Sequence, residues 1–152
     1  MITASKAMIG YGLAVAGLYT GHTVIDIVAP PGMWLEVQSV KIRDTTEGVS
    51  PTMVVFRTIR KPFYGEWKAE VERMLPGGTF IMICQANGSN NYSPLNTLPE
   101  NLDLDWWTYP TKCNLKVGKY RVETVWRVFP SGITPREIHY ISNVFEVKGT
   151  PQ

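Results

Sequence analysis

The chain has 152 residues, 44% of them hydrophobic, and its 15 basic and 13 acidic residues give a formal charge of +2. This length and apolar content fit one domain that buries about two thirds of its unfolded surface. The longest basic run is two residues, Arg60-Lys61, so the charge pattern argues against nucleic acid as a partner. Thirteen glycines, 11 prolines, five tryptophans and seven tyrosines favour an all-β domain with many turns.

The N-terminal stretch has the order of a bacterial signal peptide or anchor. Lys6 precedes an apolar run, Ala7 to Gly21, with an A-x-A-like site at Ala14 to Ala16. The apolar core before that site is short for a cleaved signal. A membrane span needs about 20 apolar residues, so residues 4–21 are marginal as a span. Residues 1–22 are therefore predicted to be an uncleaved anchor, with an assembly arm or an ordinary core segment as the alternatives.

Small residues recur at four-residue spacing in this segment. Gly10 pairs with Ala14 and Gly17 with Gly21, and such pairs let helices approach closely in lipid or in an assembly. The candidate membrane or assembly residues are Ile9, Gly10, Leu13, Ala14, Gly17, Leu18 and Gly21.

The next stretches read as strands separated by turn residues. Thr23 to Ala29 is a possible first strand, ended by two prolines and a glycine. Trp34 to Arg43 is predicted to be a strand whose apolar positions change parity halfway, which indicates a β-bulge near Gln38-Ser39. A polar turn at 44–51 leads to a further strand, Thr52 to Arg60.

A hairpin and a long loop are predicted in the middle of the chain. The runs 66–74 and 79–86 flank Pro76-Gly77-Gly78 and form a hairpin. Residues 87–104, rich in Asn, Ser and Pro, are predicted to be loop, and loops of that length are usually functional or disordered. Two N-x-[ST] triplets, at Asn87 and Asn91, matter only in a eukaryotic secretory protein.

A pair of carboxylates beside aromatic residues is the main candidate for ligand chemistry. Asp103 and Asp105 precede Trp106-Trp107, and carboxylates supply acid and base while rings stack on sugars. The alternative is that both aspartates are solvated and the tryptophans plug one end of the domain. The candidate binding residues are Tyr92, Asp103, Asp105, Trp106, Trp107 and Tyr109.

The stretch Leu115 to Phe129 predicts the central strand of the fold. From Tyr120 onward every second residue, Trp126 among them, has a side chain that can be buried, whereas the charged residues stand at the positions between them. That period of two indicates a long strand with one buried face. Residues 136–148 predict the last strand, with a polar break at Ser142-Asn143.

The residues LKVGKY, Leu115 to Tyr120, form a turn that leads into a strand opening on tyrosine. This resembles the tyrosine corner of immunoglobulin-like and fibronectin type III-like sandwiches, whose Tyr hydroxyl bonds back to nearby backbone. The resemblance implies an Ig-like antiparallel β-sandwich of about seven strands over residues 23–148, followed by a tail at 149–152. Its structural residues are Leu115, Gly118, Tyr120 and Trp126. Val122 stands where an antibody-type domain has its second cysteine, which argues against an immune role.

The two cysteines, Cys84 and Cys113, allow one disulfide. A bond between these neighbouring elements would close a loop of about 30 residues and stabilise the fold by about 3 kcal/mol in the chain-entropy model. The alternative is a pair of buried reduced thiols in a cytosolic protein.

Few residues or motifs in the sequence point to catalysis. The histidines are His22 and His139, and no zincin, C-x-x-C, G-x-S-x-G or P-loop pattern occurs. His139 is expected to be a solvated residue on the alternate face of the last strand. Asp44 and Glu47 lack the spacing of a calcium loop. We therefore expect no enzyme activity, no metal and no cofactor.

Three functions follow from these observations as hypotheses. The first is a non-enzymatic structural or binding module, an Ig-like domain displayed outside the cytoplasm on the anchor in a bacterial or phage envelope. The second is a subunit of a virus particle or filament whose apolar arm packs into a neighbour. The third is a carbohydrate-active protein that uses Asp103 and Asp105. The expected partners are proteins or further copies of the chain, with membrane contact possible through residues 4–21.

Overall fold

The computed structural model describes residues 29–95, 98–104, 113–130 and 134–149. The chain divides into two compact units, Met1–Pro30 and Pro31–Gln152, and the described strands all belong to the second. The predicted N-terminal arm and almost all of the possible strand at 23–29 lie outside the described residues.

Within the described residues the chain forms one short 3-10 helix and nine strands. They are the 3-10 helix Pro31–Met33, β1 Leu35–Ile42, β2 Thr45–Thr46, β3 Thr52–Ile59, β4 Phe63–Met74, β5 Phe80–Tyr92, β6 Asn101–Asp103, β7 Gly118–Phe129, β8 Arg136–Ile141 and β9 Phe145–Lys148.

The strands build two sheets. One has the order β1-β3-β6, and the other has the order β2-β9-β7-β4-β5, with β8 also paired to β7. Strand β4 pairs with β7 from Tyr120 to Phe129, so β8 and β9 share the opposite edge of β7. Every pairing is antiparallel except the short β2–β9 pair. The prediction of an all-β fold with two sheets is confirmed.

Strand β7 has the two-residue alternation that the sequence predicts. Its inward side chains are each at most 2% exposed; they are Tyr120, Val122, Thr124, Trp126 and Val128. The buried side chains of the three-stranded sheet include Val40, Met53 and Val55. Full burial of an aliphatic side chain of this size stabilises the fold by about 1.5–3 kcal/mol, so β7 is central in energy as well as in position.

The break between β8 and β9 carries two polar side chains, of which Asn143 joins the two sheets. Asn143 Oδ1 accepts a hydrogen bond from the Ile42 N–H at 2.8 Å, and its Nδ2 donates to the Ile42 carbonyl at 2.9 Å. Ser142 Oγ accepts from the Val122 N–H at 2.9 Å. The predicted last strand is therefore two strands, because these polar groups take over the backbone hydrogen bonding at the break.

The chain entering β7 forms the hydrogen bond that the tyrosine-corner resemblance implies. The Tyr120 hydroxyl donates to the Lys116 carbonyl at 2.6 Å, and the Tyr120 ring stacks on Phe145 with centroids 5.8 Å apart. Leu115 is buried just before this turn, and Gly118 begins β7.

Two local predictions are confirmed by the pairing registers. The β1–β3 register shifts between Val37 and Ser39, where the sequence indicates a β-bulge. Strands β4 and β5 form the predicted hairpin, and Gly77 and Gly78 turn it with φ values of +102° and +87°, which residues with a Cβ rarely adopt.

The prediction of a loop over residues 87–104 is wrong in part, because β5 continues to Tyr92 and β6 begins at Asn101. Asn, Gly and Ser disfavour strands, but here pairing with β4 imposes the conformation. Gly88 lies opposite Trp67, and a Cβ at Gly88 would be 2.6 Å from Trp67 Cζ2. The predicted turn at 44–51 likewise contains the two-residue strand β2.

The Tyr120 hydrogen bond predicts the effect of removing one hydroxyl. Tyr120→Phe should lower the free energy of unfolding by about 1–2 kcal/mol, because the Lys116 carbonyl loses a partly buried donor. Urea unfolding measures this. Tyr64→Phe is the matched control: the Tyr64 ring is 41% exposed, so a change within about 0.5 kcal/mol is expected. Equal effects of the two variants would contradict a special role for the Tyr120 hydroxyl.

Candidate functional site

Two of the six predicted binding residues lie in the described part of the chain. Asp103 is exposed at the end of β6. Tyr92 is buried at the end of β5 in the other sheet. The remaining four, Asp105, Trp106, Trp107 and Tyr109, lie outside the described residues, so carbohydrate binding at this carboxylate pair stays a prediction.

The predicted membrane or assembly residues, Ile9 to Gly21, also lie outside the described residues. Among the residues that are described, no helix has the length and apolar character needed to cross a membrane.

Tyr92 belongs to an aromatic cluster between the sheets. Its ring stacks on Phe63 with centroids 5.0 Å apart and meets the edge of Trp126 at 6.1 Å. The Arg57 guanidinium lies 5.5 Å from the centre of the Trp126 ring, a cation–π distance. Burial lowers the pKa of the Arg57 guanidinium and raises the pKa of the Tyr92 hydroxyl, since the interior disfavours each charged form. The cluster is a packing feature between the two sheets.

The predicted disulfide between Cys84 and Cys113 is confirmed, with the two Cα atoms 6.0 Å apart. Cys84 is on β5 and faces the same side as its partner Val71, which is buried. Cys113 lies in the chain that enters β7. The bond thus ties the edge of the six-stranded sheet to the segment leading into its central strand.

The outward face of the six-stranded sheet holds a cleft of about 640 Å³. Strands β4, β5, β7 and β8 contribute polar side chains to it, namely Glu66, Lys68, Asn87, Ser89, Arg127 and Glu137. Along each strand these residues alternate with the residues that point into the core. Because successive side chains of a strand point to opposite faces, the polar side chains lie together on the outward face.

Ion pairs cross the strands on this outward face of the sheet. Arg127 Nε lies 2.9 Å from Glu137 Oε1, and Arg127 Nη1 lies 3.8 Å from Glu66 Oε2. His139 lies between two carboxylates, with Nδ1 3.2 Å from Glu123 Oε1 and Nε2 3.4 Å from Glu137 Oε2. The cations and carboxylates of the cleft thus face one another across the sheet.

The same contacts shift two pKa values. The Glu123 carboxylate, and then Glu137, raise the pKa of His139 above its ordinary value. The Arg127 guanidinium, followed by His139, lowers the pKa of Glu137. His139 is exposed on β8, the first of the two strands that form the predicted last strand, which agrees with its expected solvated position. Within the described residues no three His, Cys, Asp or Glu side chains are grouped to hold a metal ion.

Strand β5 presents the other notable surface. Three consecutive apolar side chains near its start are substantially exposed, Ile81 at 43%, Met82 at 52% and Ile83 at 40%, and Leu95, just past its end, is 92% exposed. Within the part of the chain that the structure describes, β5 pairs only with β4. As far as the described residues go, its outer edge combines backbone groups with apolar side chains, the features that another strand recognises.

No family model matches this chain, and no curated protein and no solved structure is significantly similar to it.

Sequence reasoning did not find the outward cleft or the full extent of β5. The alternation of Glu66, Lys68 and Glu70 with Trp67 and Ala69 indicated which face of β4 is polar. No signal in the sequence pairs Glu66 with Arg127, because that contact depends on the register between β4 and β7.

The contacts of His139 predict a titration that NMR can follow. The pKa of His139 should lie above about 6.5, and Glu123→Gln should lower it by removing the nearest carboxylate. Because the folded-state pKa is raised, the stabilisation by the imidazolium is present below the ordinary pKa and lost as pH rises through the folded value. Glu47→Gln, which alters a carboxylate that pairs with Lys116, is the control. Equal His139 pKa values in the parent and Glu123→Gln proteins would contradict the assignment.

Proposed function

We propose that this chain is a non-enzymatic structural or binding module, an Ig-like sandwich displayed outside the cytoplasm on an uncleaved N-terminal anchor in a bacterial or phage envelope. The observation that carries the proposal is the Cys84–Cys113 disulfide. Structural disulfides persist in oxidising compartments and are rare in the cytosol of mesophiles. The apolar N-terminal sequence after Lys6 supplies a route to such a compartment.

The order of the strands supports the Ig-like part of the proposal. In Ig domains strands A, B and E share one sheet, and C, F and G form the other, to which C′ is added in variable-type domains. Here β1, β3 and β6 share one sheet, whereas β5, β4, β7 and the β8/β9 pair form the other. The tyrosine bond to Lys116 falls at the start of β7, the counterpart of strand F.

The charge arrangement supports a binding role without catalysis. On the outward face of the sheet Arg127 contacts both Glu66 and Glu137, and His139 lies between Glu123 and Glu137. Groups held in mutual ion pairs are poorly placed to accept or donate a proton to a substrate, because a general base needs access to the proton that it abstracts. These groups stabilise the face of the sheet and shape a surface for a partner.

The disulfide and the anchor are tested together by fractionation and thiol trapping in a bacterial host. The full chain should sediment with membranes and bind no maleimide reagent after denaturation, and it should bind two equivalents after reduction. A chain lacking residues 1–22 should remain soluble in the cytosol with two free thiols. The Cys84→Ser/Cys113→Ser variant controls for background labelling. Recovery of the intact parent chain from the soluble cytosolic fraction with two free thiols would overturn the proposal.

The exposed edge of β5 favours a second candidate, a subunit of a virus particle or filament. An unprotected edge strand accepts a strand from another chain, and the apolar N-terminal segment of a neighbour is one source of such a strand. On this candidate, deletion of residues 1–22 should reduce the assembly to a smaller species in light scattering. The same oligomer in the deleted and full-length chains would contradict it.

A further inference from the structure

The edges of the two sheets differ in how they are protected. Proteins blunt exposed edge strands with charges, prolines, bulges or short strands. Strand β1 carries Glu36 and Lys41 and a bulge, and β8 carries Arg136, Glu137 and His139. Strands β2 and β6 have only two and three residues. Among the described strands, β5 stands apart because it is an edge strand of 13 residues with no charged residue and no proline.

Among the described residues, the one device that blunts the edge of β5 is a bulge near its start. The β4–β5 register shifts between Val71 and Glu72, which makes Ile83 the extra residue. From Cys84 to Tyr92 the pairing is regular. These nine residues span about 30 Å at the rise of an extended strand, which is long enough for a full ladder of hydrogen bonds with another strand.

We propose that two copies of this chain form a symmetric dimer in which β5 of one copy pairs antiparallel with β5 of the other. A two-fold axis near Gly88 places Asn87 of each copy opposite Ser89 of the second, so that uncharged polar side chains face one another. This arrangement deepens the binding role proposed above by naming its partner. A C2 dimer uses the same surface on both subunits, and β5 meets that requirement because it is neutral along its whole length.

Apolar contacts are matched in the same arrangement. Pairing about Gly88 places the start of one β5, where Ile81 and Met82 are exposed on opposite faces, beside the end of the second β5, beyond which Leu95 is exposed. Both ends of the paired strands then bury apolar side chains. In the single chain Ile81 is 43% exposed, Met82 is 52% exposed and Leu95 is 92% exposed. Burial of such apolar area drives association.

The charges next to β5 permit this approach. Strand β4 carries Glu66, Lys68, Glu70 and Glu72. In the dimer the two β4 strands are three strand spacings apart, about 14 Å, which exceeds the Debye length of about 8 Å at physiological ionic strength. Repulsion between like charges of the two copies is therefore screened.

Sedimentation velocity of the full chain tests the dimer. The parent should have twice the mass of the Asn87→Lys/Ser89→Lys variant, because the lysines of the two copies would lie directly opposite one another. The matched control, Thr58→Lys/Val144→Lys, adds the same charge at exposed positions on other parts of the chain and should keep the parental mass. All three proteins share the N-terminal segment, so association through that segment is common to them. Equal masses for the parent and the β5 variant would overturn the proposal.

A cross-linking experiment tests the register without adding charge. Differently tagged Asn87→Cys and Ser89→Cys chains are mixed and oxidised under mild conditions. The mixed cross-linked dimer should exceed either same-tag dimer several-fold, because Asn87 faces Ser89 across the axis. A mixed dimer only about twice as abundant as either same-tag dimer, which is the ratio that random pairing gives, would overturn the register. These experiments use purified protein, so they are independent of the fractionation experiment. A monomeric parent would contradict the dimer but not the proposed envelope location. A parent chain found in the cytosol would contradict that location but not the dimer.

Discussion

The burial of one face of β7, with hydrogen bonds along both of its edges, is the constraint on which the other strands depend. Strand β4 fills one edge, and β8 and β9 divide the other. Its inward face presents Tyr120 and Trp126 to the three-stranded sheet, whose Met53 is fully buried. A shift of β7 by one residue would turn its charged parity inward. The tyrosine bond to Lys116 therefore has a structural role beyond its own strength, since it fixes where the strand begins.

The parts of the fold that follow from local signals were predictable from the sequence. The alternation in β7, the parity change in β1 and the two glycines of the β4–β5 turn are each visible within a few residues. The end of β5 was not predictable from the sequence, because the residues Asn87 to Asn91 disfavour strands and are extended only through their pairing with β4. The outward cleft was not predictable for a related reason. Its Glu66–Arg127–Glu137 contacts join three strands that are far apart in the chain, so they depend on registers that no local pattern encodes.

The distribution of charge separates two surfaces of the same sheet. The outward face has cations and carboxylates interleaved across β4, β7 and β8, and the native register places Arg127 opposite both Glu66 and Glu137. The edge at β5 has no charges and exposes Ile81, Met82 and Ile83. The face thus contributes to specificity within the chain, whereas the edge is suited to contacts with another chain. Its Gly88, held beneath Trp67, shows that the strand is fixed by packing before any partner binds.

The disulfide has a mechanical consequence for a protein held at one end. Cys84 and Cys113 are 29 residues apart in sequence, so a force that pulls on the two termini passes through the sulfur atoms and bypasses the chain between them. That bypassed segment, which contains β5 from Gln85 to Tyr92 and all of β6, would otherwise extend by up to about 100 Å. Under load the module can lengthen only through the residues before Cys84 and after Cys113. The bond therefore sets an upper limit on how far the domain can stretch while its edge strand stays joined to the entrance of β7.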